Sequence, residues 1–327
     1  MKNELLQRSI VLGVLVLFVG ASIIPSAVSM MEKQTIVINP TSGGYIQNLI
    51  DNASDGDTIY VPSGIYYENI IINKSISLIG EDKNTTIIDG GESGDVVNII
   101  ADWVNISGFT IQNSANLGVG VRIDMQSNYN TITANIISNC GHGIGLGGCY
   151  HNNIIKNIFT FNSDTDIYLG GSNYNVIIKN NISSTNDNGI YLYLSDYNTI
   201  IGNTISNKNY GIYIGGSDYN NITGNTISKN SFGLFLEFLI IFQHRQPCRK
   251  NNITKNNFFG YKQKTYCGGD WSNSWNQNHW NRPRFIPKLI IGVICVSEYV
   301  PLFPLLIPWF NFDMHPAQEP YDIPMRG

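Results

Sequence analysis

Charge is scarce in this chain. Asp, Glu, Lys and Arg make up 13% of its 327 residues, and 20 cations against 24 anions leave a formal net charge of −4. Without a basic surplus there is no electrostatic case for a nucleic-acid partner. Cysteine is also scarce. The five present (Cys140, Cys149, Cys248, Cys267, Cys295) are too few and too oddly numbered for a dense disulfide framework, although a Cys248–Cys267 pair stays open. Helical periodicity is missing from most of the chain, because apolar residues do not recur at i, i+3 and i+4. Long uninterrupted apolar runs are few. The stretch 289–310 is broken by Pro301, Pro304 and Pro308 and holds Glu298 in its middle, which argues against a membrane span and for packing against the end of the body.

The N-terminus is the exception. Lys2 and Arg8 flank an apolar stretch at 10–24, followed by Pro25 and the small residues Ser26, Ala27 and Ser29. That order reads as an export signal over residues 1–29, cleaved near Ser29–Met30. An uncleaved anchor is the rival reading, since fifteen apolar residues fall short of a full span. Membrane contact is expected through this segment alone, and the mature chain is expected outside the cell or on its surface.

What the chain has in quantity is Gly (32), Tyr (18) and an excess of Asn and Ile, a β- and turn-rich composition too apolar for disorder. Those residues are ordered. Asn recurs at 130, 152, 175, 198 and 220, each followed by x-Ile, and again at Asn135, Asn157, Asn180, Asn203 and Asn225. The period of 22 or 23 residues signals a stacked repeat architecture. Within each unit, Asn-x-Ile-x-x-Asn-x-Ile and then Gly-Ile-x-Leu alternate with period 2, the pattern of half-buried strands. Short strands cannot bury their apolar faces alone, but they can if each repeat is one coil paired in parallel with its neighbours. The predicted fold is therefore all-β, a right-handed parallel β-helix over residues 36–260 with coils of about 22 residues. A short helix at 46–53 would cap its open end, and residues 261–327 would form a Trp/Pro-rich C-terminal closure. The column Asn135, Asn157, Asn180, Asn203 and Asn225 is expected to be a hydrogen-bonded ladder at an inner turn. The register breaks after Phe238: Asn251 follows Asn220 by 31 residues. Either a loop is inserted at 239–250 or the reading frame was briefly lost there.

Candidate functional residues fall into three groups. Tyr168, Tyr191, Tyr213 and Phe235 stand one per coil between inward residues, and so form an outward aromatic stripe suited to a sugar chain. Tyr129, Tyr174, Tyr197 and Tyr219 make a second aromatic line at a turn. Cys140, His142, Cys149 and His151 have donor chemistry for Zn or Cu, but the strand between the two halves separates them by up to ~20 Å. Register also places His142 in a slot filled by Thr165, Asn188, Tyr210 and Phe232 in later coils, and His151 in the aromatic turn slot. The repeat carboxylates (Asp164, Asp166, Asp187, Asp196, Asp218) are scattered over different slots and read as turn-makers. No loop motif supports calcium.

The segment 46–90 followed by Asn-x-Ile coils resembles exported right-handed β-helix proteins of the NosD-like, pectin-lyase-like group. The run Trp271-Ser-Asn-Ser-Trp275-Asn-Gln-Asn-His-Trp280-Asn281 is similar to the closure of archaeal surface members of that group, as are Pro283-Arg284, Trp309-Phe-Asn-Phe-Asp313 and Glu319-Pro-Tyr-Asp322-Ile323. The resemblance covers roughly residues 40–325. It implies the fold and leaves three activities open: an exported surface protein that binds extended polysaccharide without catalysis, a copper-site maturation or copper-binding factor, and a polysaccharide lyase or glycoside hydrolase. Gly141-His142-Gly143 resembles the Gly-His-Gly of polygalacturonase-type hydrolases, but the neighbouring carboxylates and the downstream Arg-x-Lys of that chemistry are missing. Catalytic motifs of pectin methylesterases, which the 46–90 segment also resembles, do not follow. The sequence thus favours a polysaccharide or surface glycan as partner, with no cofactor supported by a motif.

Overall fold

The computed structural model describes residues 44–322 apart from positions 186, 242, 243, 247, 261–263, 269–271, 282–285 and 296–305. The expected export signal, and Trp271, Pro283 and Arg284 of the closing motif, lie outside the described residues.

Each coil is three short strands, and the strands stack into three sheets. Among the described residues, sheets A and B have ten strands each and sheet C has eleven. One coil reads Thr131–Thr133 in A, Ile136–Ser138 in B and His142–Gly147 in C; the next reads Asn153–Ile155, Ile158–Thr160 and Thr165–Gly170. Successive coils pair in parallel with the repeat in register, so Ile132 lies beside Ile154 and Ile137 beside Phe159. The result is the right-handed parallel β-helix read from the repeat.

The period-2 pattern fills the interior. Columns such as Ile132/Ile154/Ile177/Ile200/Ile222 and Ile144/Ile167/Ile190/Ile212/Leu234 are fully buried. Fully burying such a side chain stabilises by about 1.5–3 kcal/mol, so the columns are the main cohesive term. The Gly of Gly-Ile-x-Leu is required by close approach. A Cβ on Gly143 would stand 2.5 Å from the Asp166 carbonyl oxygen and 2.7 Å from a Phe159 ring carbon.

Two Asn ladders run along the stack. The column Asn135–Asn157–Asn180–Asn203–Asn225 continues through Asn256 to Asn278, and the leading Asn of each coil forms a second one. Asn180 shows the pattern. Its backbone N–H and Nδ2 both donate to Asn203 Oδ1 (2.9 and 3.0 Å), Nδ2 also donates to the Ile154 carbonyl (2.9 Å), and Oδ1 accepts from the Asn157 backbone (2.9 Å). Every polar atom of a fully buried side chain is thereby satisfied, which is the condition for burying it at low cost. The residue before each ladder Asn turns the chain in the left-handed region, as at Tyr129 (φ 60), Lys156 (φ 55) and Tyr174 (φ 59).

The ends are closed differently. The helix Tyr45–Asn52 buries Tyr45, Ile46 and Ile50 against the first coil, and Glu68 accepts its leading N–H groups from Ile46 and Gln47 at 2.9 and 3.0 Å. At the other end the parallel sheets continue past residue 260, to Ser274–Asn276 and His279–Trp280. Trp275 and Trp280 take the places of Ile253 and Phe258 in the interior columns. Asp313 then ends the ladder that runs from Asn135 to Asn278: its Oδ2 accepts from Asn278 N–H, Asn278 Nδ2 and Trp280 Nε1 at 2.9–3.1 Å. The Pro-broken apolar stretch supplies an antiparallel hairpin, Lys288–Cys295 with Leu306–Asp313, on the last edge of sheet C. After Phe238, Leu239–Ile241 and His244–Gln246 form an antiparallel hairpin, and the ladder resumes when Asn220 donates to Asn251 Oδ1 at 2.8 Å. Cys248 and Cys267 are buried free thiols, not a disulfide.

One buried feature escapes the repeat pattern. Asp166 occupies the slot that is Gly in the coils before and after it. Its carboxylate accepts from Asn162 Nδ2 and Ser184 Oγ, each at 2.8 Å, and pairs with Lys208 Nζ. Both side chains of the ion pair are completely buried, and burial pushes the Lys208 ammonium below its usual range.

Candidate functional site

The outward face of sheet C carries the aromatic stripe. Tyr168, Tyr191, Tyr213 and Phe235 are directly in register on four successive strands, and Tyr266 extends the column to a fifth. All are half-buried. Beside them, Tyr210 stacks on Phe232 at 5.2 Å, and Tyr193 stands edge-on to Tyr191.

The rings do not make one flat ribbon. Tyr191 meets Tyr168 and Tyr213 edge to face, at 70° and 68°, whereas Tyr213, Phe235 and Tyr266 are nearly parallel. A neighbour two residues on explains much of this. Tyr168, Tyr213 and Tyr266 are each followed at i+2 by Gly, and the ring leans across it: a Cβ on Gly170 would meet Tyr168 Oη at 2.8 Å, and one on Gly268 would meet Tyr266 Cε1 at 2.7 Å. Tyr191 has Tyr193 at that position and cannot lie down. Partial burial pushes the Tyr191 phenol up to about 12, and raises Tyr168 and Tyr266 as well. Tyr213 Oη donates to Glu237, whose carboxyl is itself raised by burial.

The turn line is built otherwise. Trp103, Tyr129, His151, Tyr174, Tyr197 and Tyr219 stack nearly parallel, with centroids 4.4–5.4 Å apart and planes within 17°. That spacing is close to the rise of one strand per coil. Lys250 closes the row, donating to Tyr219 Oη at 2.8 Å. The rings are exposed, but their faces cover one another, so solvent meets edges and hydroxyls.

The residues before these rings form another ladder. Asp196 N–H donates to Asn173 Oδ1, Asp218 N–H to Asp196 Oδ1 and Arg249 N–H to Asp218 Oδ1, at 2.6–2.7 Å. One position earlier, Ser172, Ser195 and Ser217 accept backbone N–H groups through Oγ. The Ser-Asp-Tyr-Asn turn is therefore four ladders side by side, and its carboxylates serve as backbone acceptors.

The four metal-donor candidates are not brought together. The six-residue strand His142–Gly147 separates the two halves. Cys140 Sγ donates to the Ser138 carbonyl, and Cys149 Sγ contacts the carbonyls of Ile123, Asp124 and Gly147; burial pushes the Cys149 thiol up to about 11. The His151 ring is stacked between Tyr129 and Tyr174. His142 Nε2 lies 3.8 Å from Asp164 Oδ2, beyond hydrogen-bond reach. Among the described residues no group of three or more His, Cys, Asp or Glu side chains could hold a metal ion. A groove of about 640 Å³ around Asn113, Asn139, Cys140 and Phe161 has Glu92 as its one carboxylate.

Sequence reasoning missed Tyr266, Tyr210, Phe232 and Glu237. The Tyr-x-Gly signature at 168, 213 and 266 would have found the first.

Comparison with known proteins points to the fold and to a family. The alginate lyase of the PL6 group solved with a trisaccharide has a TM-score of 0.55 at 15% identity, over 74% of this chain and 57% of that one. The enzymatically active domain of tailspike protein 2 of bacteriophage CBA120 has a TM-score of 0.59 at 11% identity, over 76% and 40%. The alginate lyase AlyF-OU02 in complex with G6 has a TM-score of 0.52 at 14% identity, over 68% and 56%. This chain thus spans little more than half the length of the lyases, and at such identities the likeness is one of fold. No curated protein matches it. The family model described as periplasmic copper-binding protein (NosD) matches residues 50–292. With coils, ladders and both closures inside or flanking that span, the chain belongs to the NosD family.

Proposed function

We propose that this protein is exported, stands at the cell surface and binds an extended polysaccharide along the outer face of sheet C without cleaving it. The observation that carries the reading is the column Tyr168–Tyr191–Tyr213–Phe235–Tyr266. It repeats at the strand spacing of about 4.8 Å, and its partly exposed rings offer apolar faces beside phenol hydroxyls, the mixture that sugars present in return. Fold neighbours whose names refer to alginate and to an oligosaccharide support a glycan ligand. Absence of catalysis is supported by the engagement of Asp196 and Asp218 as backbone acceptors and by the burial of Asp166 against Lys208. Neither is placed as an acid–base pair flanking a bound sugar would be.

Glycan-array binding by the full chain and by a Tyr191→Ala/Tyr213→Ala variant tests the reading. Binding that the variant loses is the expected result, with no new reducing ends or unsaturated products on incubation. Equal binding by both proteins would sink the stripe as the site.

Copper, named in the family description, does not fit the described residues. The candidate thiols are buried and bonded to carbonyls, one imidazole is stacked between tyrosines, and a strand holds the halves apart. Stoichiometric Cu binding lost in a His142→Ala/Cys149→Ser variant would overturn that assignment.

A further inference from the structure

We infer that the polysaccharide is a neutral one, not a polyuronate; this rests on the sheet C face being the binding site. The four central strands of that face, Thr165–Gly170, Asn188–Tyr193, Tyr210–Gly215 and Phe232–Glu237, contain no Lys and no Arg. Their two carboxylates are Asp166, which is sealed inside against Lys208, and Glu237, which lies on the outer face within reach of the Tyr213 hydroxyl. The turns leading into these four strands add Asp164 and Asp187, both exposed, against one exposed cation, Lys229; the fifth strand, Lys264–Cys267, brings one Lys, at its start beside Phe232. On the preceding coil Arg122 is committed to Asp95.

A uronic-acid chain brings one carboxylate per sugar. Recognition of that charge takes Arg or Lys, usually as a bidentate or charge-assisted pair. Laying an unpaired carboxylate on a half-desolvated aromatic surface is costly, and Glu237 would oppose it further. The overall charge of −4 would also slow its approach. A neutral chain meets none of these penalties. It needs ring faces for its C–H surfaces and acceptors for its hydroxyls, and the face supplies both, in the Tyr-x-Gly rings and in Glu237.

The test is calorimetric titration of the full chain at low ionic strength with two sets of probes. The neutral set is xylohexaose, cellohexaose and mannohexaose; the acidic set is hexagalacturonate and hexaguluronate. The expected result is binding of at least one neutral probe about tenfold or more tighter than either acidic one, a difference of about 1.4 kcal/mol. Loss of that binding in Tyr191→Ala/Tyr213→Ala places it on the face. Acidic probes bound as tightly as neutral ones, with affinity falling as salt is added, would overturn neutrality while leaving the site standing. Binding to neither set by the unmodified chain would overturn the reading on which the inference rests.

Discussion

Two aromatic rows run along this β-helix at the same repeat, one from Trp103 to Tyr219 and the other from Tyr168 to Tyr266, and they are not the same kind of surface. In the turn row the rings stack face to face within 17°, so each face is spent on a neighbour. In the sheet C row Tyr213, Phe235 and Tyr266 also stack on one another, but Tyr191 stands edge to face with both neighbours and Tyr168 leans over Gly170, so open ring face lies at the Tyr168–Tyr191 end. The cause is local backbone. The turn residues sit in the left-handed conformation that precedes each ladder Asn, which throws every ring out at one angle. The strand residues point out from a pleat, where the residue at i+2 decides whether a ring can lie down. Equal spacing therefore gives a scaffold element in one row and the proposed sugar platform in the other.

The rows also rest on different interiors, and the largest expected effect lies there. The turn row is backed by the Asn and Ser ladders, whereas the buried Asp166–Lys208 pair stands two residues before Tyr168 and Tyr210 of the sheet row. Lys208→Met leaves a buried carboxylate without its cation and should cost about 3–5 kcal/mol, measured by urea unfolding. Adding Asp166→Gly, which returns that slot to the repeat residue, should recover much of the loss. A single variant as stable as the parent would show that the sheet row does not depend on the pair.

Next in size is removal of a turn ring. Tyr174→Ala deletes two stacked contacts, with His151 and Tyr197, and should cost about 1–2 kcal/mol of stability with glycan affinity unchanged. Loss of affinity here would erase the distinction between the rows.

Smaller still is the lift of a platform ring. Gly170→Ala puts a methyl where the mobile end of Tyr168 now lies, so the ring moves and the backbone stays. Stability should change by less than about 1 kcal/mol, while affinity falls a few-fold. Unchanged affinity would show that the ring's posture is irrelevant.

The last effect is silent at neutral pH and emerges only in alkali. The Tyr191 phenol is held protonated up to about 12, above its unfolded value near 10. The folded state then keeps a proton that the unfolded state releases, so stability is full below about pH 10 and declines as pH rises toward 12. Tyr191→Phe should make that decline shallower in urea titrations across this window. An identical slope would place the phenol in open solvent.

Much of this was legible beforehand. The Asn and Ile spacing specified the coils, the inward columns and the position of the stripe, because period-2 alternation and ladder register are local rules repeated many times. What it could not specify depends on residues far apart in the chain. Asp166 meets Lys208 across 42 positions, Asp313 caps Asn278 across 35, and neither pair belongs to the repeat. Ring posture was hidden for another reason: Tyr168 and Tyr191 occupy the same slot and differ only in what stands two residues later. The hairpin after Phe238 could not be told from a lost frame, since the closing of the coil around it shows in the resumed pairing, Asn220 to Asn251 and Asn225 to Asn256.

The most direct test of the central claim is a paired titration of one neutral hexasaccharide into Tyr191→Ala/Tyr213→Ala and into Tyr129→Ala/Tyr174→Ala. The first variant should lose about tenfold or more in affinity, and the second should stay within about twofold of the parent. Equal losses in the two variants, or a loss confined to the second, would contradict it.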